Sequence, residues 1–455
     1  MATSLWTNFD YMPHQLYGVQ WLIEREKGEI KGGILCDEMG LGKTIQMLGL
    51  IKNSPKSHTL LIAPIAVLDQ WKATAEKSSI KCYTLENHKW ILQTKIFSNS
   101  SSSSSLYLCG YEMAQKHLTS IKMMEFDRLI CDEAHRLSNP KTSCFKTVKR
   151  INAPISWFLT ATPIVNSMKD LSSLFTLLNI DDEIDDALIN KYVLARSMDD
   201  LRSSIDDAPL PPILMKHELD FLSDQEADLY RGIQEPILNQ LRYGQITGLF
   251  RLALMLRLRQ LSIHPNVYIQ MKRKQNNPVE GYGGTSCKFV KIEELITSES
   301  FENHKWIIFC HFHEEMEMLK KLLSSLEFIR TVGIYSGKLS QDDRSKMLET
   351  AKKSFNDEKT TDVLLIQLQS GGVGLNLQEF DRIIFSGPWW TQAMMNQAIG
   401  RAVRIGQKNQ VIVHHLLLKE DKTMNIDKLM NMKAESKGQM NEMVLLAANR
   451  NIRIY

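Results

Sequence analysis

Eight consecutive residues, Asp37-Glu38-Met39-Gly40-Leu41-Gly42-Lys43-Thr44, have the makings of a phosphate site. They follow the apolar run Gly32-Gly33-Ile34-Leu35 and open the helical pattern Ile45 to Ile51, so the order is strand, glycine-rich turn, helix. Glycines let main-chain N–H groups from Met39 to Gly42 close around phosphate oxygens, and a helix start adds partial positive charge. Lys43 is placed to reach β- and γ-phosphates, and the Thr44 hydroxyl to ligate Mg²⁺. The pattern departs from G-x-x-x-x-G-K-[ST], because Asp37 stands where the first glycine belongs. An ordinary tight turn is the competing reading.

Three further groups suit the same chemistry. Asp132-Glu133-Ala134-His135 follows the apolar run Arg128 to Cys131. Two adjacent carboxylates at a strand end could divide the labour, Asp132 holding Mg²⁺ and Glu133 deprotonating an attacking water. A surface turn is the bland alternative. Zinc is a weaker one, since no second histidine at helical spacing accompanies His135. Thr160-Ala161-Thr162-Pro163 ends the next apolar run, where short hydroxyls could sense a γ-phosphate. Far along the chain, Gln397 to Gln407 contains Arg401 and Arg404, three apart on an expected helix and hence on one face. A solvated basic face, tolerant of truncation, is the usual meaning of such a pair. Here the phosphate loop lacks its own arginine, so both are expected to neutralise transition-state charge across a cleft.

These groups need elements to hold them. The chain has 455 residues, enough for two or three domains. With 43% hydrophobic and 24% charged residues it is neither disordered nor fibrous. No apolar run approaches membrane-helix length, and the N-terminus does not read as a secretory signal. Seven scattered cysteines without a C-x-x-C pair argue for reduced thiols inside a cell, and against a disulfide or structural zinc framework. A net charge of +3 leaves any polyanion site to a local patch.

Two stretches have the rhythm of parallel α/β structure, short apolar runs each followed by a helical pattern. The first holds GGILCDE, HTLLIAP, SLYLCGY, FDRLICDEAH and ISWFLTATP; the second HKWIIFCHF, RTVGIYSG, TDVLLIQLQSGG, FDRIIFSGP and VIVHHLLL. Between them lie helical patterns such as Gln225 to Leu241 and Leu249 to Leu261. The reading is an N-terminal lobe over 1–180, a helical connector over 181–285 and a C-terminal lobe over 286–455.

In order, the chain shows HQLYGVQWL, DEMGLGKT, LIAPIAVLDQW, DEAHRLSNP, LTATPIVN, LRLRQLSIHP, KWIIFCHF, SGGVGLNL and QAIGRAVRIGQ. This set resembles the motor of the SWI/SNF family, the branch of superfamily-two helicase-like ATPases that act on double-stranded DNA. The resemblance runs from about residue 12 to about residue 430. It implies two tandem RecA-like lobes with ATP, Mg²⁺ and duplex DNA as ligands. By the same resemblance Gln15 reads adenine, Lys43 and Thr44 form motif I, Asp132 and Glu133 motif II, and Thr160 and Thr162 the coupling motif III. Gly372, Gly374 and Asn376 fall in motif V, and Gln397, Arg401 and Arg404 in motif VI. Gly374 and Gln397 would touch nucleotide, Asn376 and Trp389 nucleic acid. Trp389 has a core alternative, supporting motif VI. Gln225 and Tyr230 match a helix after the first lobe.

The departures are Ala161, where the family usually has glycine, Ser370 for alanine, and Thr391-Gln392 for Asn-Pro. The last puts the detailed DNA contact beside Trp389 in doubt. With no room for a chromatin-reading or zinc domain, the chain resembles the compact members carried by large DNA viruses. The resemblance implies a monomeric, DNA-driven ATPase that moves along duplex DNA and displaces bound proteins, in the nucleus or at a viral replication site. A strand-separating helicase is the runner-up, and a catalytically silent scaffold the third reading.

Overall fold

The computed structural model describes residues 2–449 except 87, 94–103, 165–166, 206–207, 244–247, 277–279, 301, 354–355, 357–360, 369–374 and 420–424. The chain divides into two units, Met1–Ala208 with Ser436–Tyr455, and Pro209–Glu435. Each unit is built on one sheet with helices along the chain between its strands.

In the first unit the strands are β1 (Gly32–Leu35), β2 (His58–Ala63), β3 (Lys81–Glu86), β4 (Lys89–Leu92), β5 (Ser105–Gly110), β6 (Arg128–Asp132), β7 (Ile155–Leu159) and β8 (Val193–Leu194). They lie in the order β4-β3-β5-β2-β6-β7-β1-β8, parallel except for the β3–β4 hairpin. The second unit holds β9 (Ile213–Leu219), β10 (Trp306–Cys310), β11 (Val332–Tyr335), β12 (Val363–Gln367), β13 (Arg382–Phe385) and β14 (Ile412–Leu418). Its order is β11-β12-β10-β13-β14-β9, parallel throughout. This is the expected pair of parallel α/β lobes.

The ten apolar runs are all strands, because a strand covered by helices on both faces must be apolar on both. Four strands lack that signature. Those of the β3–β4 hairpin are only partly buried, and β8 is two residues long. β9 lies at a sheet edge with most of its residues exposed. Residues 181–285 are not a separate body. β8 completes the first sheet, whereas β9 and the helices Asp224–Tyr243, Gly248–Ile263 and Pro265–Lys274 belong to the second unit. Among the described residues no helix is long and apolar enough to cross a membrane.

Buried charge knits each unit. Arg128 donates through Nε and Nη2 to the two Glu26 oxygens, both at 2.6 Å, and the Trp157 indole adds a third bond to that carboxylate. In the second unit Lys288 Nζ meets Asp427 Oδ2 at 2.6 Å, and the same oxygen accepts the Leu418 N–H.

Where β1 begins, Gly32 has φ of +127° and faces Ser156 on β7. A Cβ there would lie 1.9 Å from the Ser156 carbonyl oxygen. Gly32→Ala should therefore cost on the order of 3 kcal/mol through strain and lost pairing, read as a lower urea midpoint.

Candidate active site

Three strand ends lie level in the first sheet. Leu35, the last residue of β1, pairs with Leu159 of β7, and Leu159 pairs with Asp132 of β6. The segments leaving these ends are the glycine-rich loop, Thr160-Ala161-Thr162 and the Asp132-Glu133 turn. Open parallel sheets place their ligands beyond the carboxyl ends of the strands.

The loop turns on Gly40 and Gly42, with φ of +92° and +81°, and Gly42 caps the helix Lys43–Asn53. Lys43 folds back, donating from Nζ to the Asp37 carbonyl at 2.6 Å and the Glu38 carbonyl at 3.4 Å. Thr44 sits half-buried in the same first turn, and Met39 and Leu41 lie within the loop. Gln15 belongs to the helix Pro13–Arg25. Its Oε1 accepts the Met12 N–H at 3.2 Å and its Nε2 donates to the Leu41 carbonyl at 3.5 Å. A Cβ on Gly42 would come within 2.6 Å of that nitrogen, so the glycine is needed for Gln15 to approach.

Asp37 is fully buried beneath the loop and answers the departure from the glycine pattern. Arg196 grips it with two bonds, Nε to Oδ1 at 2.9 Å and Nη2 to Oδ2 at 2.5 Å. Gln46 Nε2 donates to the same Oδ2 at 2.8 Å, while Gln46 Oε1 accepts from Arg196. The arginine also donates to the His14 carbonyl. The Leu41 carbonyl can only accept, so His14 Nε2 donates to it, at 3.0 Å. The strand direction of β8 carries Arg196 there: Cys36 N–H reaches the Leu194 carbonyl at 2.6 Å, and Glu38 N–H the Arg196 carbonyl at 2.8 Å. Sequence reasoning missed Arg196, His14 and Gln46. The one available signal was an aspartate in an otherwise apolar strand end, which demands a buried cation somewhere in the chain.

Asp132 is held on every side. The Trp71 indole donates to Oδ2 at 2.8 Å, the Glu133 N–H to Oδ1 at 2.9 Å, and the Tyr111 hydroxyl to the Asp132 carbonyl at 2.8 Å. Burial, then the adjoining Glu133 carboxylate, push the Asp132 carboxyl up to about 6. Glu133 takes the left-handed conformation, φ +51°, and its Oε2 lies 3.2 Å from His135 Nδ1. The Thr44 hydroxyl and the Asp132 carboxylate are hard oxygen donors of the kind Mg²⁺ takes. With one hydrogen bond on each carboxylate oxygen, acceptor capacity remains for a cation. Thr160 is fully buried, and its hydroxyl is engaged within its own turn, accepting the Thr162 N–H at 3.1 Å and donating to the Thr162 carbonyl at 3.2 Å.

Residues 14–185 match the SNF2-related domain and residues 287–406 the helicase conserved C-terminal domain, together most of the chain. The chain belongs to the SWI/SNF family of helicase-like ATPases. It is 28% identical to YwqA of Bacillus subtilis, named as an ATP-dependent helicase/translocase, over 96% of this chain and 49% of that protein. With the Danio rerio chromodomain-helicase-DNA-binding protein 1-like it shares 26% over 95% of this chain and 44% of the other. A protein of Orgyia pseudotsugata multicapsid polyhedrosis virus, named as a global transactivator, is 24% identical over 91% of this chain and 87% of its own. The chain thus spans about half the length of the first two relatives.

In the second unit the SWI/SNF motif VI segment differs from expectation. Its helix, Gln392–Ile399, ends before either arginine, and Arg401 and Arg404 lie in the turns beyond it. They do not form a solvated helical face. Arg401 is 4% exposed, its carbonyl accepts the Leu377 N–H, and Arg404 donates from Nε to the Gly400 carbonyl at 3.0 Å. Truncating Arg401 would therefore open packed space as well as remove charge. Gln407 clasps the segment, donating from Nε2 to the Gln378 carbonyl at 2.8 Å, while Gln378 Nε2 returns a bond to the Ile405 carbonyl at 2.6 Å. Gln397 is half-buried on the helix and Asn376 is exposed. Ser370, Gly372 and Gly374 lie outside the described residues. Trp389 is half-buried, its ring stacked on His311 at 5.4 Å and 4°, with the Arg259 guanidinium 4.7 Å from its centroid. Those are features of the core alternative. Tyr230 is buried, its hydroxyl accepting the Ile426 N–H.

The buried pair under the glycine-rich loop can be tested directly. Arg196→Met leaves the Asp37 carboxylate buried and unpaired, which should cost about 3–5 kcal/mol of stability in urea unfolding. A stable Arg196→Met protein with wild-type nucleotide affinity would contradict the anchoring role. The raised Asp132 carboxyl gives a pH dependence. Asp132 carries a proton below about pH 6, and that proton competes with a cation. Mg²⁺-dependent nucleotide affinity should weaken about tenfold per pH unit below that point and level off above it. Equilibrium binding at fixed Mg²⁺ measures it, and Asp132→Asn should remove this component.

Proposed function

We propose that this chain is an ATPase driven by double-stranded DNA, which converts hydrolysis into movement along the duplex and displaces proteins bound there. The observation that carries the reading is the level alignment of Leu35, Leu159 and Asp132, which delivers the glycine-rich loop and both acidic residues to one sheet edge. The family and the names of its relatives supply the nucleic acid.

In this reading the loop N–H groups from Met39 to Gly42 and the start of the Lys43–Asn53 helix bind phosphate oxygens, and Lys43 exchanges its carbonyl partners for the β- and γ-phosphates. Gln15 and Gln397 contact the nucleotide. Thr44 and Asp132 would hold Mg²⁺, which would supply positive charge against the phosphate oxygens. Glu133 orients the water and takes its proton, and Arg401 and Arg404 offset charge on the transferred phosphoryl group. Thr160 and Thr162 link loss of that group to main-chain movement. Asn376, the exposed residue of motif V, contacts the DNA, while Trp389 supports the arginine segment. Phosphate contacts dominate the grip, so binding is salt-sensitive and indifferent to base sequence.

Glu133→Gln preserves shape but cannot accept the proton. It should lower duplex-stimulated turnover by about 10²-fold or more while keeping ATP affinity. Wild-type turnover should respond to duplex DNA above single-stranded DNA or RNA. A triplex should lose its third strand in an ATP-dependent way, whereas a forked duplex should stay closed. Fork opening without triplex release would overturn the translocase.

A further inference from the structure

The motif LIAPIAVLDQW ends in a residue that the proposed hydrolysis leaves without a task. Trp71, on the helix Ile65–Lys77 beyond β2, is 1% exposed. An indole N–H is donor only, and in a buried site it needs an acceptor. Here the acceptor is Asp132 Oδ2, at 2.8 Å.

The surroundings make this bond directional. β2 lies beside β6, with Ile62 paired to Cys131, so the Trp71 helix starts next to the end of the Asp132 strand. On the far side of β2, β5 leads into Tyr111, whose hydroxyl fixes the Asp132 main-chain carbonyl at 2.8 Å. The Glu133 N–H takes Oδ1 at 2.9 Å. One donor on each oxygen sets the rotation of the carboxylate plane. Without the indole, a single main-chain donor would remain, and the plane could turn about it.

We propose that Trp71 is a positioning residue for the magnesium site, fixing which Asp132 lone pairs face the cation. The inference rests on the ATPase reading above. Outer-shell donors of this kind typically alter metal affinity by about 10–100-fold when removed.

Trp71→Phe keeps the ring and deletes the N–H. The readout is the affinity of a fluorescent, non-hydrolysable ATP analogue for the full chain, followed by anisotropy across a Mg²⁺ titration and again with the metal chelated. The Mg²⁺ concentration giving half of the affinity gain should rise about tenfold or more. Metal-free affinity and the thermal midpoint should stay near wild type. In an Asp132→Asn background the Trp71→Phe change should add nothing further to the Mg²⁺ dependence, because the oriented group is already gone. An unchanged Mg²⁺ midpoint in Trp71→Phe overturns the inference and leaves the ATPase reading standing. A parallel fall in metal-free affinity and thermal midpoint overturns it too, since the ring would then act by packing alone. A wild-type protein whose analogue affinity ignored Mg²⁺ would instead sink the ATPase reading itself.

Discussion

The geometry of the first lobe depends on one buried ion pair, Asp37 with Arg196. Removing both charges from water is expensive, and only saturated geometry recovers the cost. That geometry is present: the carboxylate takes three donor contacts from Arg196 and Gln46, and the guanidinium also reaches Gln46 Oε1 and the His14 carbonyl. Such a pair contributes placement more than net stability. It sets the floor on which Gly40 and Gly42 can take their positive φ values, and it ties the loop to the first helix through His14 and to the β8 segment through main-chain bonds. A glycine at position 37 would leave that floor without its central acceptor.

The central strands were legible in the sequence because burial on both faces writes itself as unbroken apolar runs. The edges were not. β9 alternates Leu214-Met215-Lys216-His217-Glu218 between two largely exposed faces, and such a mixture carries no period that distinguishes it from a loop. The candidate site divides in the same way. Lys43, Thr44, Asp132 and Glu133 are local to their motifs, so spacing alone located them. Arg196 stands 159 residues from Asp37, and only folding brings the two together. Arg401 and Arg404 show the opposite failure. Their spacing fitted a helix, but the helix ends at Gly400; beyond it the chain turns on short local bonds such as Ala402 N–H to the Ile399 carbonyl, and the distant Leu377 N–H takes the Arg401 carbonyl.

In the second lobe neutral amides do part of the positioning. Gln378 and Gln407 exchange bonds to each other's segments, so the loop after motif V and the turns bearing the arginines are clasped by two neutral amides. Amides hold geometry without a desolvated charge. Nearby, His311 joins the helical segment to the strand ends: Arg259 can only donate, so His311 Nδ1 accepts at 2.8 Å and Nε2–H is left to donate to the Gly387 carbonyl at 3.0 Å. Burial keeps that imidazole neutral, with its pKa well below the ordinary value, which fits the tautomer the two bonds require.

The pairing of β9 with β14 also sets a schedule for synthesis. Among the described residues β9 is the first strand of its sheet to leave the ribosome and pairs only with β14, the last; Pro211 and Gln410, bonded just ahead of the two strands, are 199 residues apart. At ~5–20 residues per second that separation is on the order of 10–40 s of elongation. Throughout it Ile213, Leu214 and Met215 have no strand to lie against, and a nascent chain in that condition is a substrate for holding chaperones and for neighbouring unfinished chains. The second lobe is therefore topologically unable to close cotranslationally until its final strand appears, whatever the stability of the finished sheet.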